Sequence, residues 1–566
     1  TADAHETTLS TVDATADRTI NLPNQSGTLP VLAAASATAI TSTPEELNKL
    51  DGATVTVAEI NIIDGDTSAT STTVADADRV VMNDNGTMVQ VAVTDLSAYF
   101  DDEITAMPNL VTVGATQQLT TLAGIPFYSD STSLYTHNVS GTDDTATNNT
   151  AIGFTAMDAI TTGDSNAALG YGALGANTTG SYNAATGRSA LVANTTGDNN
   201  IATGASSLRF NTTGDSNIAV GYRALYTNVT TNNNVAVGHE ALYTNVAANN
   251  TAIGYYALKA NTTGTENVAV GAGALDANTE GDESVGVGYN ALGAQTTGKR
   301  NVAVGGSALA AVTTADNNVA IGREAGTAIT TGERNIVIGA NAYDASDTEN
   351  DNVAIGHNAM TTNTAGGTAN VAVGNYTLDA LTSGDDNVAI GHDALTTLTT
   401  GLRNTAVGKD ALKLTTTANN NTAIGDRAMD ANTTGADNSA LGSHALGGNT
   451  TGTGNVAVGY GALFDHTTGN DNTAIGRNAA ANNTTAANNT AVGSQALLAN
   501  TTGDSNVAIG MQAMEDNTTA SNNVAVGMEA MLQNTTGGNN TAIGYGSLEN
   551  NTTGTSNVAI GRDALE

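Results

Sequence analysis

The side chains that could bind a metal or transfer a proton do not form a catalytic pattern. The seven histidines have no spacing typical of metal ligands and are His5, His137, His239, His357, His392, His444 and His466. Cysteine is absent, which excludes disulfide frameworks and thiolate metal sites. No nucleophile, base and orienting residue recur together in the sequence. We therefore predict that this chain is not an enzyme and has no catalytic residues.

Aspartate recurs in turns, as in Gly-Asp-Ser-Asn at residues 214–217 and Gly-Asp-Asp-Asn at residues 384–387. Stacked turns of this kind could create Ca²⁺ sites. However, the calcium-binding nonapeptide pattern is absent, and Asx-type turn chemistry is favoured. Calcium in these turns is the one cofactor alternative, and no other cofactor is predicted. The Asn-Thr-Thr sequences, as at residues 211–213, also match glycosylation acceptors, although a turn and ladder role is favoured.

All these candidates lie in or beside a repeat. The motif Asn-Val-Ala-Val-Gly occurs in 25 variants, with its glycine first at Gly153 and last at Gly561. Successive glycines are 17 residues apart, except for one step of 16 (Gly238 to Gly254) and one of 18 (Gly356 to Gly374). A fixed period of this length predicts stacked repeats rather than separate globular domains.

Residue types within the repeat predict its local structure, when positions are numbered from the glycine at 0. Positions −3 and −1 carry Val, Ile, Thr, Leu, Ala or Ser and never a charge, position −2 is alanine in 23 copies, and position −4 is asparagine in 24. This alternation predicts a strand over −4 to 0, and the Ala-Leu pair at +3 and +4 predicts a second short strand. The expected fold is all-β: a parallel β-solenoid, or β-roll, of about 25 coils spaced ~4.8 Å apart.

The two sides of the predicted strand suggest an assembly. Valine and isoleucine at −3 and −1 should point one way, and the small residues at −4, −2 and 0 the other way, with Ala and Leu at +3 and +4 also on opposite sides. One coil cannot bury both sides of its strand within itself, so a second uncharged face implies a partner chain. Three chains around a common axis would bury that face, which predicts a homotrimeric fibre.

The residues at −4, −2 and 0 are predicted to form a structural ladder along the rod. Stacked asparagine amides can donate to one neighbouring copy and accept from the other. The invariant glycine fits a sharp bend or a close approach of two backbones. Representative ladder residues are Asn217, Ala219, Gly221, Asn318, Ala320, Gly322, Asn506, Ala508 and Gly510.

Composition separates the repeat from what precedes it, because all five prolines lie in residues 1–148. We predict a β segment (1–40), two 13-residue Glu-Leu-Asn/Asp-Gly copies (41–75), a hairpin-plus-helix module (76–128), a polar linker (129–148) and the solenoid (149–566). Short strands are expected at 19–23, 27–30 and 111–122, and a short helix through 97–100. The hairpin should join 79–82 to 88–93 through Asn-Asp-Asn-Gly at 83–86.

Charge limits the possible partners. The chain has 54 acidic and 17 basic residues, a formal charge of −37. A nucleic-acid partner requires a basic face, so none is expected. No apolar run approaches the ~20 residues that span a bilayer, so no membrane span is predicted. Such acidity suits a soluble extracellular particle surface.

The repeat motif, Asn-Val-Ala-Ile-Gly followed by Ala-Leu, resembles the head repeat of YadA-like trimeric autotransporter adhesins. That resemblance implies a trimeric, left-handed parallel β-roll, although the 17-residue unit with Asn-Thr-Thr-Gly turns is longer than the family's usual one. The Glu-Leu-Asn copies at 46–52 and 59–65, with Asp-Asn-Gly-Thr-Met-Val-Gln-Val at 84–91, are similar to modules of marine bacteriophage tail-fibre proteins.

Together these features predict the shaft of an extracellular homotrimeric fibre, in a bacteriophage tail or virion, that presents a host-recognition tip. Its expected partners are further copies of itself, other virion components at both ends, and a host surface receptor. The alternative is a bacterial surface adhesin or self-assembled extracellular filament. A tailspike depolymerase is disfavoured because 15 tyrosines and 5 phenylalanines are spread too thinly for sugar platforms. The chain begins without methionine and stops in mid-coil, so further sequence is expected after Glu566.

Overall fold

The computed structural model describes residues 79–84, 87–92, 121–122, 125–126, 128–129, 133–136, 145–363 and 366–566. The predicted strands at 19–23 and 27–30, the 13-residue copies, the helix through 97–100 and most of the strand at 111–122 lie outside these residues. The chain divides into two compact units, Thr1–Val111 and Thr112–Glu566.

The described part of the first unit is a β-hairpin. Strand β1 (Arg79–Asp84) pairs antiparallel with β2 (Thr87–Ala92), so that Arg79 lies opposite Ala92 and Asp84 opposite Thr87. The predicted hairpin is therefore confirmed, with one difference. The strands continue through residues 83 and 84, where the prediction had placed the start of the turn, as far as the pair Asp84 and Thr87.

The second unit begins with short strands that lead into the solenoid. Strand β3 (Thr121–Leu122) pairs antiparallel with β4 (Ile125–Pro126), and β5 (Tyr128–Ser129) pairs antiparallel with β6 (Leu134–Tyr135). Leu134 and Tyr135 then pair in parallel with Thr150 and Ala151 of the first repeat strand. The stacked sheet thus begins within residues 129–148, the segment predicted as a linker.

Each repeat contributes one three-residue strand, over positions −3 to −1. The strands are β7 (Thr150–Ile152), β8 (Ala167–Leu169), β9 (Ala184–Thr186), β10 (Ile201–Thr203), β11 (Ile218–Val220), β12 (Val235–Val237), β13 (Thr251–Ile253), β14 (Val268–Val270), β15 (Val285–Val287), β16 (Val302–Val304), β17 (Val319–Ile321), β18 (Ile336–Ile338), β19 (Val353–Ile355), β20 (Val371–Val373), β21 (Val388–Ile390), β22 (Thr405–Val407), β23 (Thr422–Ile424), β24 (Ser439–Leu441), β25 (Val456–Val458), β26 (Thr473–Ile475), β27 (Thr490–Val492), β28 (Val507–Ile509), β29 (Val524–Val526), β30 (Thr541–Ile543) and β31 (Val558–Ile560).

Strands β7 to β31 stack in parallel, each paired residue for residue with the next. Both irregular coils keep this register, because Val235 lies opposite Thr251 across the 16-residue step and Val353 opposite Val371 across the 18-residue step. At ~4.8 Å per strand the stack is about 115 Å long. The predicted all-β parallel β-solenoid of about 25 coils with 17-residue spacing is confirmed.

The predicted second strand at +3 and +4 is wrong, because this segment is a run of turns. In the coil that follows Gly221, Arg223 and Leu225 have φ values of 53° and 50°, which is left-handed backbone. That conformation costs a non-glycine residue roughly 1–2 kcal/mol. Hydrogen bonds between coils offset this cost, as when the Leu225 N–H donates to the Ala241 carbonyl at 3.0 Å.

The two sides of the strand are reversed relative to the prediction. Ala219 at −2, Ala224 at +3 and Leu225 at +4 are all fully buried inside their own coil. Ile218 and Val220 point outward and are partly exposed. The small residues therefore form the interior of a single chain and do not face a neighbouring one.

The reversal follows from how narrow the coil is. A methyl group added to Gly286, which replaces alanine at −2, would lie 3.2 Å from the Ala291 carbonyl and 3.4 Å from Leu275 Cδ1. An alanine methyl therefore fills the space between the strand and the turns opposite. Val337, the one larger residue at −2, follows Gly326, the one glycine at +4, by eleven residues, the same spacing that separates Leu275 from Gly286. The larger residue therefore coincides with the missing leucine side chain.

Candidate interaction surface

The asparagines at −4 form a first amide column inside the solenoid. The Asn217 backbone N–H donates to Asn200 Oδ1 at 2.9 Å, and Asn217 Oδ1 accepts the Asn234 N–H at 3.0 Å. Asn217 Nδ2 donates to the Thr231 carbonyl at 2.8 Å, and lies 3.2 Å from Asn200 Oδ1. Each amide thus accepts from one neighbouring coil and satisfies a buried carbonyl of its own coil.

A second amide column runs parallel to the first at position +7, which confirms the ladder role predicted for the asparagine of the Asn-Thr-Thr turns. Asn211 Nδ2 donates to Asn194 Oδ1 at 2.8 Å and to the Gly214 carbonyl at 2.9 Å. That carbonyl also accepts from Asn200 Nδ2 of the first column, at 2.8 Å. Apolar residues occupy +7 in some coils, as Leu381 and Leu398 do. In the coil of Leu398 the carbonyl that both columns would contact, that of Gly401, still accepts a hydrogen bond from Asn387 of the first column.

The nine ladder residues do not form a common binding site. Asn217, Ala219, Asn318, Ala320, Asn506 and Ala508 are fully buried, and Gly221, Gly322 and Gly510 each lie against the backbone of the next coil. The three groups belong to well-separated coils of the rod. These residues therefore hold the coils together and present no side chain to a ligand.

The other sequence candidates are also used within the fold. The asparagines of the Asn-Thr-Thr sequences, such as Asn211, are buried except for the half-buried Asn551, so the buried ones are inaccessible to a glycosylating enzyme in the folded chain. Turn aspartates bridge coils, as when the Ser181 N–H donates to Asp198 Oδ1 at 2.7 Å. Among the residues that the structure describes, no three His, Asp or Glu side chains group as a metal site would require.

His466 replaces asparagine in the second amide column. It is fully buried, with Nε2 2.7 Å from the Gly469 carbonyl, the position that the asparagine Nδ2 takes in other coils. Burial lowers its pKa, because the charged imidazole would lose its hydration. The other histidines of the solenoid, His239, His357, His392 and His444, lie at exposed or half-buried positions.

We expect acid to weaken the coil around His466. Its folded pKa lies below the unfolded value of about 6.5, so the unfolded chain binds the proton more readily as the pH falls through that value. Each unit of depression removes about 1.4 kcal/mol of stability at acid pH. The His466→Asn variant keeps a donor to Gly469 and does not titrate. Its advantage in thermal midpoint over the parent should grow from about pH 8 to about pH 5; a constant difference would contradict this assignment.

The outer side of the sheet is an uncharged and mostly apolar face. It consists of positions −3 and −1 of strands β7 to β31, where forty of the fifty residues are apolar, ten are threonine or serine, and none is charged. Their exposure is considerable: Val304 is 37% exposed, Ile321 41% and Ile336 40%. With a length of about 115 Å and a width of about 7 Å, this outer sheet face covers roughly 800 Å². Exposed apolar patches on monomeric proteins are usually smaller.

Aromatic side chains cluster on the turn segments +1 to +6, where the sequence suggested that they were spread thinly. Tyr226 and Tyr243 stack with centroids 5.1 Å apart, and His239 lies 5.2 Å from Tyr222 and 5.3 Å from Tyr255. Residues 17 positions apart become neighbours when coils stack, which explains why a linear reading missed the clusters. Another cluster contains His444, Tyr460 and Phe464.

Ion pairs between coils lie at exposed or half-buried positions. Glu240 lies 2.9 Å from Lys259 and 3.6 Å from Arg223, in the coils on either side. Arg334 contacts Asp351 at 2.6 Å, and this hydrogen bond holds the pKa of the Asp351 carboxyl below its ordinary value. Exposed pairs such as Arg334 with Asp351 typically contribute less than about 1 kcal/mol each. They support the stacking of coils without creating a charged binding site.

Comparison with protein-family models, curated proteins and solved structures gives no significant match. The fold is therefore established by the structure itself, as a parallel β-solenoid with 17-residue repeats. In the described ranges the chain forms no apolar helix of bilayer-spanning length.

Proposed function

We propose that this chain is the shaft of a homotrimeric extracellular fibre, part of a bacteriophage tail or virion, that holds a host-recognition tip away from the particle. The observation that carries the proposal is the outer sheet face, which is mostly apolar, uncharged and partly exposed along the whole stack. Its roughly 800 Å² equals the area that each partner contributes to an ordinary stable interface.

The architecture suits a mechanical role. Each coil contacts its two neighbours through backbone ladders and two amide columns, and stability in such a rod accumulates from coil to coil. The bacteriophage assignment draws on the resemblance of residues 46–65 and 84–91 to tail-fibre modules. Other virion components at the two ends of the rod and a host surface receptor are the partners that this role requires.

The trimer contact proposed here differs from the one expected from the sequence. Ala320 and the other small residues are buried within their own coil, so they cannot meet a second chain. We place the contact on the outer sheet face, where β-branched side chains of three chains would cover one another. The acidic turn segments then remain on the outside, where mutual repulsion keeps fibres dispersed.

We expect the chain to sediment at three times its 56.4 kDa mass, and the Val302→Glu/Val304→Glu variant to sediment as a lighter species. Both substitutions place a charge on the outer sheet face without entering the coil. Thr314→Glu is the matched control, because it adds charge in an exposed turn of the same coil and Glu280 occupies the corresponding position of another repeat.

Analytical ultracentrifugation and circular dichroism together decide the outcome. A parent chain that is monomeric, or a doubly substituted chain with the parent's mass, would overturn the trimeric contact. Indefinite growth of the parent into long polymers would instead favour the self-assembled filament.

A further inference from the structure

A depression on the turn side of the solenoid is lined by two aromatic rings and two free amides. It has a volume of about 270 Å³ and is lined by His444, Tyr460, Gly461, Phe464, Asn478, Ala481, Asn482 and Leu498. We propose that this Tyr460 depression binds a neutral sugar ring of a polysaccharide. All its lining residues come from one chain, so the proposal does not depend on the fibre or its trimer.

The aromatic walls supply the apolar contact that a sugar ring requires. Tyr460 is 59% exposed and Phe464 43% exposed. His444 meets both nearly at right angles, with interplanar angles of 81° and 78°. By contrast, Tyr226 and Tyr243 lie at 11° to each other and cover each other's faces. The C–H face of a pyranose can therefore pack against the rings of this depression.

The amides supply the polar contact. Among the described residues, the side chains of Asn478 and Asn482 make no hydrogen bond with another group. Each offers two N–H donors and one carbonyl acceptor. A pair of adjacent sugar hydroxyls presents the complementary acceptors and donors. Most other asparagines of the solenoid are buried in the amide columns, so two free amides beside exposed rings distinguish this surface.

None of the eight lining residues is acidic or basic in the way of Asp, Glu, Lys or Arg, and this indicates an uncharged ligand. A neutral hexose or N-acetylhexosamine is therefore favoured over an acidic sugar. Glycoside hydrolysis ordinarily requires two carboxylates that flank the bond, so the depression can bind a glycan without cleaving it. Its volume is slightly below the roughly 300–1,000 Å³ of ordinary ligand pockets, which suits one ring held weakly.

The test uses the full chain and neutral oligosaccharides of glucose, galactose, mannose and N-acetylglucosamine. We expect at least one to bind with a millimolar Kd, measured by saturation-transfer NMR and calorimetry. Tyr460→Ala and Phe464→Ala should each weaken binding about tenfold, the loss expected for one aromatic contact. Both variants should fold, because other repeats already have alanine at these positions: Ala272 at the position of Tyr460, and Ala310 at the position of Phe464.

Tyr289→Ala is the matched control, since Tyr289 has the same repeat position, is 71% exposed and lies outside the depression. It should bind as the parent does. The proposal is overturned if no neutral oligosaccharide binds, if Tyr460→Ala and Tyr289→Ala bind equally, or if acidic glycans alone bind. It is also overturned if Tyr460→Ala lowers the oligomeric mass, because the depression would then contact another copy. The Val302→Glu/Val304→Glu chain should still bind the sugar, so the two proposals can fail separately.

Discussion

Gly305→Ala is expected to disrupt stacking between its coil and the next, whereas Gly306→Ala should leave it intact. Gly305 is the invariant glycine of its repeat and has φ +136°, a conformation that alanine rarely adopts. A methyl group there would also collide with the carbonyl of Gly322 in the next coil. Strain and backbone displacement of this kind each cost about 1–3 kcal/mol, so we expect a loss of roughly 2–6 kcal/mol.

The neighbouring glycine provides the control. A methyl group on Gly306 would have no other atom within 4 Å, so this variant should stay within about 0.5 kcal/mol of the parent. Because stability in a solenoid is local, hydrogen exchange followed by mass spectrometry is the appropriate readout. The Gly305→Ala chain should exchange faster around residues 287–322. Equal exchange in the two variants would show that coil contact does not exclude a side chain at position 0.

Asn506→Ala is expected to cost about 2–3 kcal/mol, and Asn517→Ala about 1 kcal/mol, although both remove a fully buried amide from one coil. Asn506 Oδ1 accepts the backbone N–H of Asn523 at 3.0 Å, and no other acceptor is available to that N–H. An orphaned buried N–H carries the full desolvation penalty.

The partners of Asn517 all keep another hydrogen bond when its amide is removed. The Ala520 carbonyl still accepts from Asn506 Nδ2, and Asn534 Nδ2 still donates to the Gly537 carbonyl. Asn500 Oδ1 still accepts the Gly503 N–H. The comparison thus separates a lost amide from an orphaned backbone group.

Asn506→Ser should restore part of the loss, because Ser284 takes the same position and its Oγ accepts the Asn301 N–H at 3.3 Å. Thermal unfolding together with exchange at Asn523 measures all three variants. If Asn506→Ala lowered the free energy of unfolding no more than Asn517→Ala, the first amide column would not contribute more to stability than the second.

The repeat period and the alternation at −3 to −1 were sufficient to predict the solenoid, because both are local properties of the sequence. Which side of the strand faces inward was predicted wrongly. Hydrophobicity places Val319 and Ile321 inside and Ala320 outside, whereas the coil interior accepts one methyl group at that position. The width of the coil depends on the turns opposite, and their left-handed residues, such as Leu225, are not evident from propensity.

The surface residues were harder still to predict. Tyr460, Asn478 and Asn482 line one depression because adjacent coils bring them together. No sequence motif predicts that the two asparagine side chains make no hydrogen bond within the described part of the fold. The ladder of the second amide column was predicted from the recurrence of the Asn-Thr-Thr turns, whereas the full burial of Asn211 and Asn517 was not. That burial follows from the path of the chain between the two columns.

The irregular coils carry one further consequence. The 16-residue coil loses its residue between Asn245 and Asn250, and the 18-residue coil gains one between Asn363 and Asn370, while the sheet pairs on either side without a shift. Small insertions and deletions are therefore absorbed in one turn. Duplication of a whole unit would extend the rod by about 4.8 Å and create no new type of contact. The length of the solenoid is thus set by the number of repeats that the gene encodes.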